Sequence, residues 1–428
     1  MMVAIGFAAI VYWLLLPHGQ SVAAALAITM LAAVLWIGEG LPLPVTAILV
    51  PVGLSALGVF EVDQAFGSFA NPVLFLVLGG YGLAAAVGVN RVDRWFASRM
   101  LLRAGNRTVV VAAVLMATSA MLSMIVSNTA TAALLLPVAI GMLAQQPRDP
   151  NLGRLLPLCV AYGASIGGVA TLIGSPPNAI AAGLLGISFG HWMALALPVS
   201  AVMLAAAIPI LWWTYRPDIE YLDVTPDAPA AQLSDRARAT LAILAVTVCL
   251  WLAGPTMANA VGIPGAWLNP TAIACVAVVV LVLFRSVTWG ELEERIQWGV
   301  LLLLGGGLSL GRGLTESGAA DWLAELLVAE ATGLGPFALL TVVVAIAVFA
   351  TELISNTAVT AKLAPILIGV AIQLGVESAT LVVPVAIATS MAFMLPVATP
   401  PNAMVHASGH VTQRDMMRVG LRLNLVAI

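Results

Sequence analysis

Two short polar runs interrupt otherwise apolar sequence, Ser127-Asn128-Thr129 and Ser355-Asn356-Thr357. Their hydroxyls and carboxamides are neutral hydrogen-bonding groups of the kind that hold carboxylate oxygens. The helix following each run is expected to begin at the Thr. Its first amides then lack intrahelical partners and present N–H groups and a positive dipole end to an anion. Carbonyls ending the preceding half-helices carry the opposite partial charge and suit a dehydrated monovalent cation. Two further breaks, Gly174-Ser175-Pro176-Pro177-Asn178 and Ala398-Thr399-Pro400-Pro401-Asn402, add to the pattern. Proline removes a donor and disfavours helical geometry in the residue before it, so Gly174-Ser175 and Ala398-Thr399 are expected to be unwound, with carbonyls free to ligate. One such break reads equally as a kinked helix capped by Ser and Asn. Four, paired in order, read as a binding site.

Elements that could position these groups must lie in lipid. Of 428 residues, 61% are apolar and 9% charged, against about a quarter charged in soluble domains. In hydrocarbon the backbone must satisfy itself, which leaves helices or closed barrels, and the apolar runs are too long for barrel strands. Uninterrupted spans are expected near 2–16, 21–37, 43–58, 71–89, 191–214, 239–256, 269–285 and 298–311. Interrupted stretches cover 109–144 and 335–374, broken at the SNT runs, and 155–185 and 378–407, broken at the PPN runs. The stretch after Arg418 reads as a last helix cut short. The first run, Met2 to Leu16, has no basic residue before it and no small-residue cleavage site after it, so it reads as a retained helix.

Basic residues choose between topologies, because cytoplasmic loops hold the excess of Lys and Arg. With a cytoplasmic N-terminus, SNT stretches as re-entrant hairpins and PPN stretches as broken crossings, 15 of the 17 basic residues fall inside. Arg312 is left outside and Lys362 within a hairpin. Full crossings at the SNT runs would instead move Arg148, Arg154 and the basic residues up to the second hairpin outside. The expectation is an all-α polytopic membrane protein of the inner (plasma) membrane, with eleven spanning helices and two re-entrant hairpins.

Landmarks recur at nearly constant spacing. Leu78-Gly79-Gly80 returns at Leu304-Gly305-Gly306, the SNT run at Ser355, and Pro-Pro-Asn at 400–402. The chain thus divides into an extra helix (1–20), a first repeat (21–215), a cytoplasmic linker (216–238) and a second repeat (239–428). Five helices per copy place the second upside down, as alternating access around one midplane site requires.

The two SNT motifs, the two PPN breaks and the stretch from Thr389 to Val405 together resemble the divalent anion/sodium symporter family, which includes sodium-coupled dicarboxylate and citrate transporters. The likeness covers almost the whole chain. It implies a homodimer working as an elevator. It also implies one sodium ion among Ser123, Ser127, Asn128 and Gly174, and another among Thr351, Asn356, Ala398 and the Ile354 carbonyl. A dianion would touch Asn128, Thr129, Asn356, Thr357, Thr399 and Pro400, with Ser127, Ser175 and Ser355 close by.

Other polar residues carry competing readings. Lys362 is either a tethered cation near the second sodium pocket or a snorkelling or paired lysine. Glu352 either pairs with it or sits at the outer end of the hairpin, and Glu39 reads as solvated. His18, His191, His406 and His410 read as interfacial anchors, without metal spacing. Trp13, Trp36, Trp192, Trp212, Trp213, Trp251, Trp267 and Trp298 read as interfacial belts that set depth. Cys159, Cys249 and Cys275 read as buried core thiols.

These features point to import of a C4-dicarboxylate such as succinate, malate or fumarate, driven by sodium. A sodium-independent exchanger, a citrate or sulfate symporter and a passive anion channel remain as alternatives. No His or Asp lies at membrane depth to serve an enzyme, and a net charge of −3 implies no nucleic-acid partner.

Overall fold

The computed structural model describes residues 2–38, 40–222, 233–262, 264, 268–330 and 335–428. Glu39, Trp267 and the middle of the 216–238 linker lie outside the described residues. After α1 (Met2–Leu15) come α2 (Gln20–Ile37), α3 (Leu43–Ala56), α4 (Val62–Gly67), α5 (Pro72–Val89), α6 (Val92–Leu102), α7 (Thr108–Ser123), α8 (Asn128–Ala144), α9 (Pro150–Val169), α10 (Pro176–Leu185) and α11 (Phe189–Tyr215). The second half forms α12 (Asp235–Val261), α13 (Pro270–Leu283), α14 (Trp289–Arg295), α15 (Trp298–Glu316), α16 (Ala319–Glu330), α17 (Pro336–Ala350), α18 (Asn356–Leu374), α19 (Ser378–Ala388), α20 (Pro400–Ala407) and α21 (Gln413–Ala427). Element for element, α12–α21 follow the order of α2–α11. The agreement extends to the short α4 and α14, which the apolar runs do not predict.

Local chemistry sets these boundaries. Asn71 and Asn269 cap α5 and α13 alike, each accepting at 2.9 Å from the amide two residues on, ahead of a proline in the first turn. Asp149 caps α9, accepting from Asn151 N at 2.8 Å and Leu152 N at 3.2 Å. Its other oxygen accepts from Asp218 N at 2.8 Å, tying the chain after α11 to the base of the first hairpin. Thr108 N donates to Glu220 O at 2.9 Å across the same seam.

Among the described residues, five helices are long and apolar enough to cross a membrane, and they differ in surroundings. Across its apolar window α9 is 94% buried and α11 28%. An apolar helix buried all round belongs at the centre of a bundle, whereas one exposed on most faces borders lipid. Small residues bring α9 against α7: a Cβ at Gly163 would lie 2.5 Å from Met116 O, and one at Gly167 would run into Ala120 O.

Packing crosses between the halves. α10, from the first broken stretch, packs on α18 and α19, while α20, from the second, packs on α8 and α9. Each hairpin is thus braced by the broken stretch of the other half.

Several details differ from the sequence expectation. α8 and α18 begin at the Asn of each run, one residue before the Thr, because the preceding Ser occupies the N-cap position. The second break runs from 389 to 399, longer than the first at 170–175. Of the three thiols, Cys159 is buried, Cys275 half-buried and Cys249 exposed. Trp36, Trp192 and Trp251 belong to the core and not to a belt. Their indole nitrogens donate to the carbonyls of Leu43, Val169 and Pro270, a polar use that a buried Trp requires.

Candidate functional site

At the first tip, Ser127 caps its own helix, accepting from Ala130 N at 3.3 Å. Asn128 turns its carboxamide toward the first break. With its nitrogen facing inward it meets Gly174 O at 3.1 Å, Ala164 O at 3.2 Å and Ser123 Oγ at 2.6 Å. Ser123, Asn128 and Gly174 of the expected cation set are thereby brought together, with Ala164 added and Ser127 engaged in capping. Only glycine fits at 174, since a Cβ there would lie 2.5 Å from Gly168 O and 2.8 Å from Ser123 O. The break is held from within. Thr171 Oγ1 accepts from Gly174 N at 3.1 Å and donates to Met124 O. Asn178 Nδ2 donates to Gly168 O (3.0 Å), Val169 O (3.1 Å) and Thr171 O (2.7 Å).

The second tip repeats the arrangement with different residues. The buried Thr351 hydroxyl lies against Asn356 Oδ1 and is 2.7 Å from Thr389 O. Thr360, one turn into α18, meets Thr389 through their hydroxyls at 2.7 Å. Thr399 caps α20, accepting from Asn402 N at 3.3 Å, and Asn402 Nδ2 donates to Ala392 O and Leu395 O, both at 3.1 Å. Ile354 ends the turn before the tip, and Ala398 lies near the end of the break. Among the described residues no hydrogen bond joins either to Asn356.

Glu352 and Lys362 do not pair. Glu352 is buried, and its Oε1 accepts from Phe393 N at 2.8 Å, Met394 N at 2.9 Å and Asn424 Nδ2 at 2.7 Å. Its Oε2 accepts from Leu395 N at 2.9 Å. The unwound second break exposes a row of amides and the carboxylate satisfies them, so Glu352 lies inside the site unit and not at the hairpin's outer end. The Lys362 ammonium lies 5.9 Å from the Trp36 ring centroid on α2, within reach of a cation–π attraction and turned toward α2.

Polar contacts connect the tips. Asn128 reaches Gly174, and the adjacent Ser175 Oγ lies 2.9 Å from Ser390 Oγ. Ser390 follows Thr389, which meets Thr351, and Thr351 meets Asn356. Tyr162 of α9 adds a bond to Phe393 O at 2.7 Å. Of the remaining expected substrate contacts, Thr357 is buried, while Thr129 and Pro400 are exposed, so the two tips are unequally open. Thr171, Thr360, Thr389, Ser390, Asn178 and Asn402 were not among the expected site residues. The signal for the two asparagines lay in the PPN runs themselves.

The sequence profile of the citrate transporter family CitMHS matches residues 33–388. An uncharacterized transporter of Haemophilus influenzae is 37% identical over 96% of this chain and 91% of its own length. The sodium-dependent dicarboxylate transporter SdcS of Staphylococcus saprophyticus is 31% identical over 94% of this chain and 83% of its own. In structure, the YdaH transporter of Alcanivorax borkumensis superposes with a TM-score of 0.59 at 15% identity, covering 96% of each chain, and so shares the fold. The chain therefore belongs to the citrate transporter (CitMHS) family, among the divalent anion/sodium symporters that its paired SNT and PPN runs resemble, and is a secondary transporter and not an enzyme.

Proposed function

We propose that the chain imports a small dianion, a C4-dicarboxylate such as succinate, malate or fumarate, coupled to sodium influx. One observation carries this reading: each tip asparagine is met by a hydroxyl five residues earlier, Ser123 for Asn128 and Thr351 for Asn356, beside the carbonyls of a break. With the Asn128 carboxamide turned so that its Oδ1 accepts from Ser123 Oγ, the oxygens of Ser123, Asn128, Ala164 and Gly174 converge, and oxygens so gathered suit a hard monovalent cation. The first ion is assigned to Ser123, Asn128 and Gly174, with Ser127 adjacent, and the second to Thr351, Asn356 and the carbonyls of Ile354 and Ala398. The dianion lies between the tips, held by Asn128, Thr129, Asn356, Thr357, Thr399 and Pro400, with Ser127, Ser175 and Ser355 at its edge. The relative named as a sodium-dependent dicarboxylate transporter supports both the ion and the substrate class.

Coupling follows from electrostatics. The donors assigned to the substrate are neutral, and a dianion drawn out of water needs compensating charge. Unit charges about 4 Å apart attract by about 4 kcal/mol at an effective dielectric of 20. Each bound sodium ion thus raises the affinity for the dianion, and the dianion raises that for sodium in return. The matched element order of the two halves supports an inverted pair, with hairpins and broken helices moving together against the remaining helices in a homodimeric elevator.

Uptake of labelled succinate, citrate and sulfate into proteoliposomes, with and without a sodium gradient, tests the assignment. Succinate is expected to accumulate uphill only with the gradient. Passive equilibration would indicate a channel, and sodium-free counterflow an exchanger. Asn128→Ala and Asn356→Ala are each expected to abolish uptake in a folded protein, and wild-type rates in either would refute the assigned site.

A further inference from the structure

Asn178 and Asn402 are fully buried and do the same thing in the two halves. Each is the third residue of its half-helix, after two prolines. Each Nδ2 donates backward to the carbonyls seven and ten residues earlier: Thr171 and Gly168 for Asn178, Leu395 and Ala392 for Asn402. Each Oδ1 has no hydrogen-bond partner among the described residues, so the nitrogen alone makes the tie. The bond from residue 178 to residue 171 closes a loop with Gly174 inside it, and that from 402 to 395 closes a loop with Ala398 in the equivalent place. These are the two carbonyl-bearing positions assigned to the cations.

We propose that Asn178 and Asn402 are positioning residues that set cation selectivity. By clasping the two sides of each break, they fix the span of the loop whose carbonyl faces the ion. A break without such a tie has free carbonyls on both flanks and can contract around a smaller ion or spread around a larger one. Discrimination between ions of equal charge rests on cavity size and on the rigidity of the ligand frame. The first clasp is the stronger, with a third acceptor at Val169 O, whose other donor is Trp192 Nε1 at 3.0 Å. The second spans the longer break and is supported by the Glu352 carboxylate.

This inference rests on the sodium-coupled reading above, and the experiment separates the two. Asn178→Leu and Asn402→Leu keep the branched side-chain shape and neutrality while deleting the donor. Asn178→Ser and Asn402→Ser leave room for a water that can donate to the same carbonyls. Succinate uptake is titrated with sodium and with lithium, and the purified proteins are melted across the same salts, which reports ion binding without transport. In the Leu variants the ratio of half-saturating sodium to half-saturating lithium is expected to move toward lithium by about three- to tenfold, as loss of one or two hydrogen bonds would give. The Ser variants should fall between them and wild type, and KM for succinate at saturating sodium should change by no more than about twofold. A ratio unchanged in variants that reach the membrane overturns the clasps and leaves the transport reading intact. So does failure of both the Leu and Ser variants to fold, which assigns the asparagines a structural role alone. Wild-type uptake indifferent to both cations removes the sodium-coupled reading, and the inference with it.

Discussion

Ser175 Oγ lies 2.9 Å from Ser390 Oγ, and both side chains are buried. The two broken stretches therefore meet through a pair of hydroxyls 215 residues apart in sequence. Ser175 adjoins the carbonyl of Gly174, and Ser390 adjoins Thr389, whose carbonyl meets Thr351. In the site proposed above, a shift at either assigned cation position would reach the other through this contact. α10, which follows Ser175, packs on α18, and α20 packs on α8.

The hydroxyl pair should act as a unit. Ser175→Ala and Ser390→Ala each leave one buried hydroxyl without its partner, at a cost of about 1–3 kcal/mol. Each is expected to lower kcat/KM for succinate by about tenfold, while the double variant loses little more than either single one, because its second substitution removes a group already orphaned. Initial uptake rates in proteoliposomes over a succinate titration supply the cycle. Strict additivity of the two losses would show that the serines do not communicate.

Gly174 should tolerate no side chain. A methyl group there would crowd Gly168 O and Ser123 O, beside the position proposed for the first cation. Overpacking of this kind costs about 1–3 kcal/mol. Gly174→Ala is expected to fold with a lowered melting temperature and to lose most sodium-dependent uptake. The equivalent residue in the second half is already alanine, and Ala398→Gly should lower uptake only modestly. Transport by Gly174→Ala at the wild-type sodium dependence would rule out the first cation position.

Much of this was legible in the sequence, for identifiable reasons. Long apolar runs and prolines specify helices and breaks locally, so most spans and the SNT interruptions fell within a few residues of the structure, whereas the second PPN break begins at 389, well before Ala398. Asn128 and Asn356 stand in the recurring SNT runs and Gly174 opens a PPN break, whereas Thr351 could be named only through the resemblance to the symporter family. What escaped was non-local. Thr171, Thr389 and Ser390 are ordinary residues until folding sets them against a carbonyl or hydroxyl of another segment. Glu352 met neither expectation, a pair with Lys362 or a place at the hairpin's outer end, because the unwound break offered its carboxylate three amides. Trp192 lies near a helix end, as belt residues do, yet closes the carbonyl end of α9.

Glu352 should matter for stability. Its removal leaves the amides of Phe393, Met394 and Leu395 and the carboxamide of Asn424 without their buried acceptor. Glu352→Ala is expected to destabilise the protein strongly, since each buried donor left unsatisfied costs about 1–3 kcal/mol. Asn424→Ala removes one donor of four and should cost about 1–2 kcal/mol. Melting of the detergent-purified proteins measures both. A wild-type melting temperature for Glu352→Ala would mean that water or another group satisfies the break.

Lys362 should not substitute for sodium. Its ammonium faces the Trp36 ring at 5.9 Å, whereas Thr360, two residues earlier on α18, turns to Thr389 and the second tip. Residues two apart on a helix do not share a face, so Lys362 is directed away from the ion position. A cation–π pair of this kind contributes about 0.5–2 kcal/mol. Lys362→Met is therefore expected to lower stability by about that amount and to leave the half-saturating sodium concentration within about twofold of wild type. Wild-type protein in sodium-free vesicles should show no succinate counterflow. Counterflow there that disappears in Lys362→Met would establish the lysine as a tethered cation and overturn the assignment of its partner.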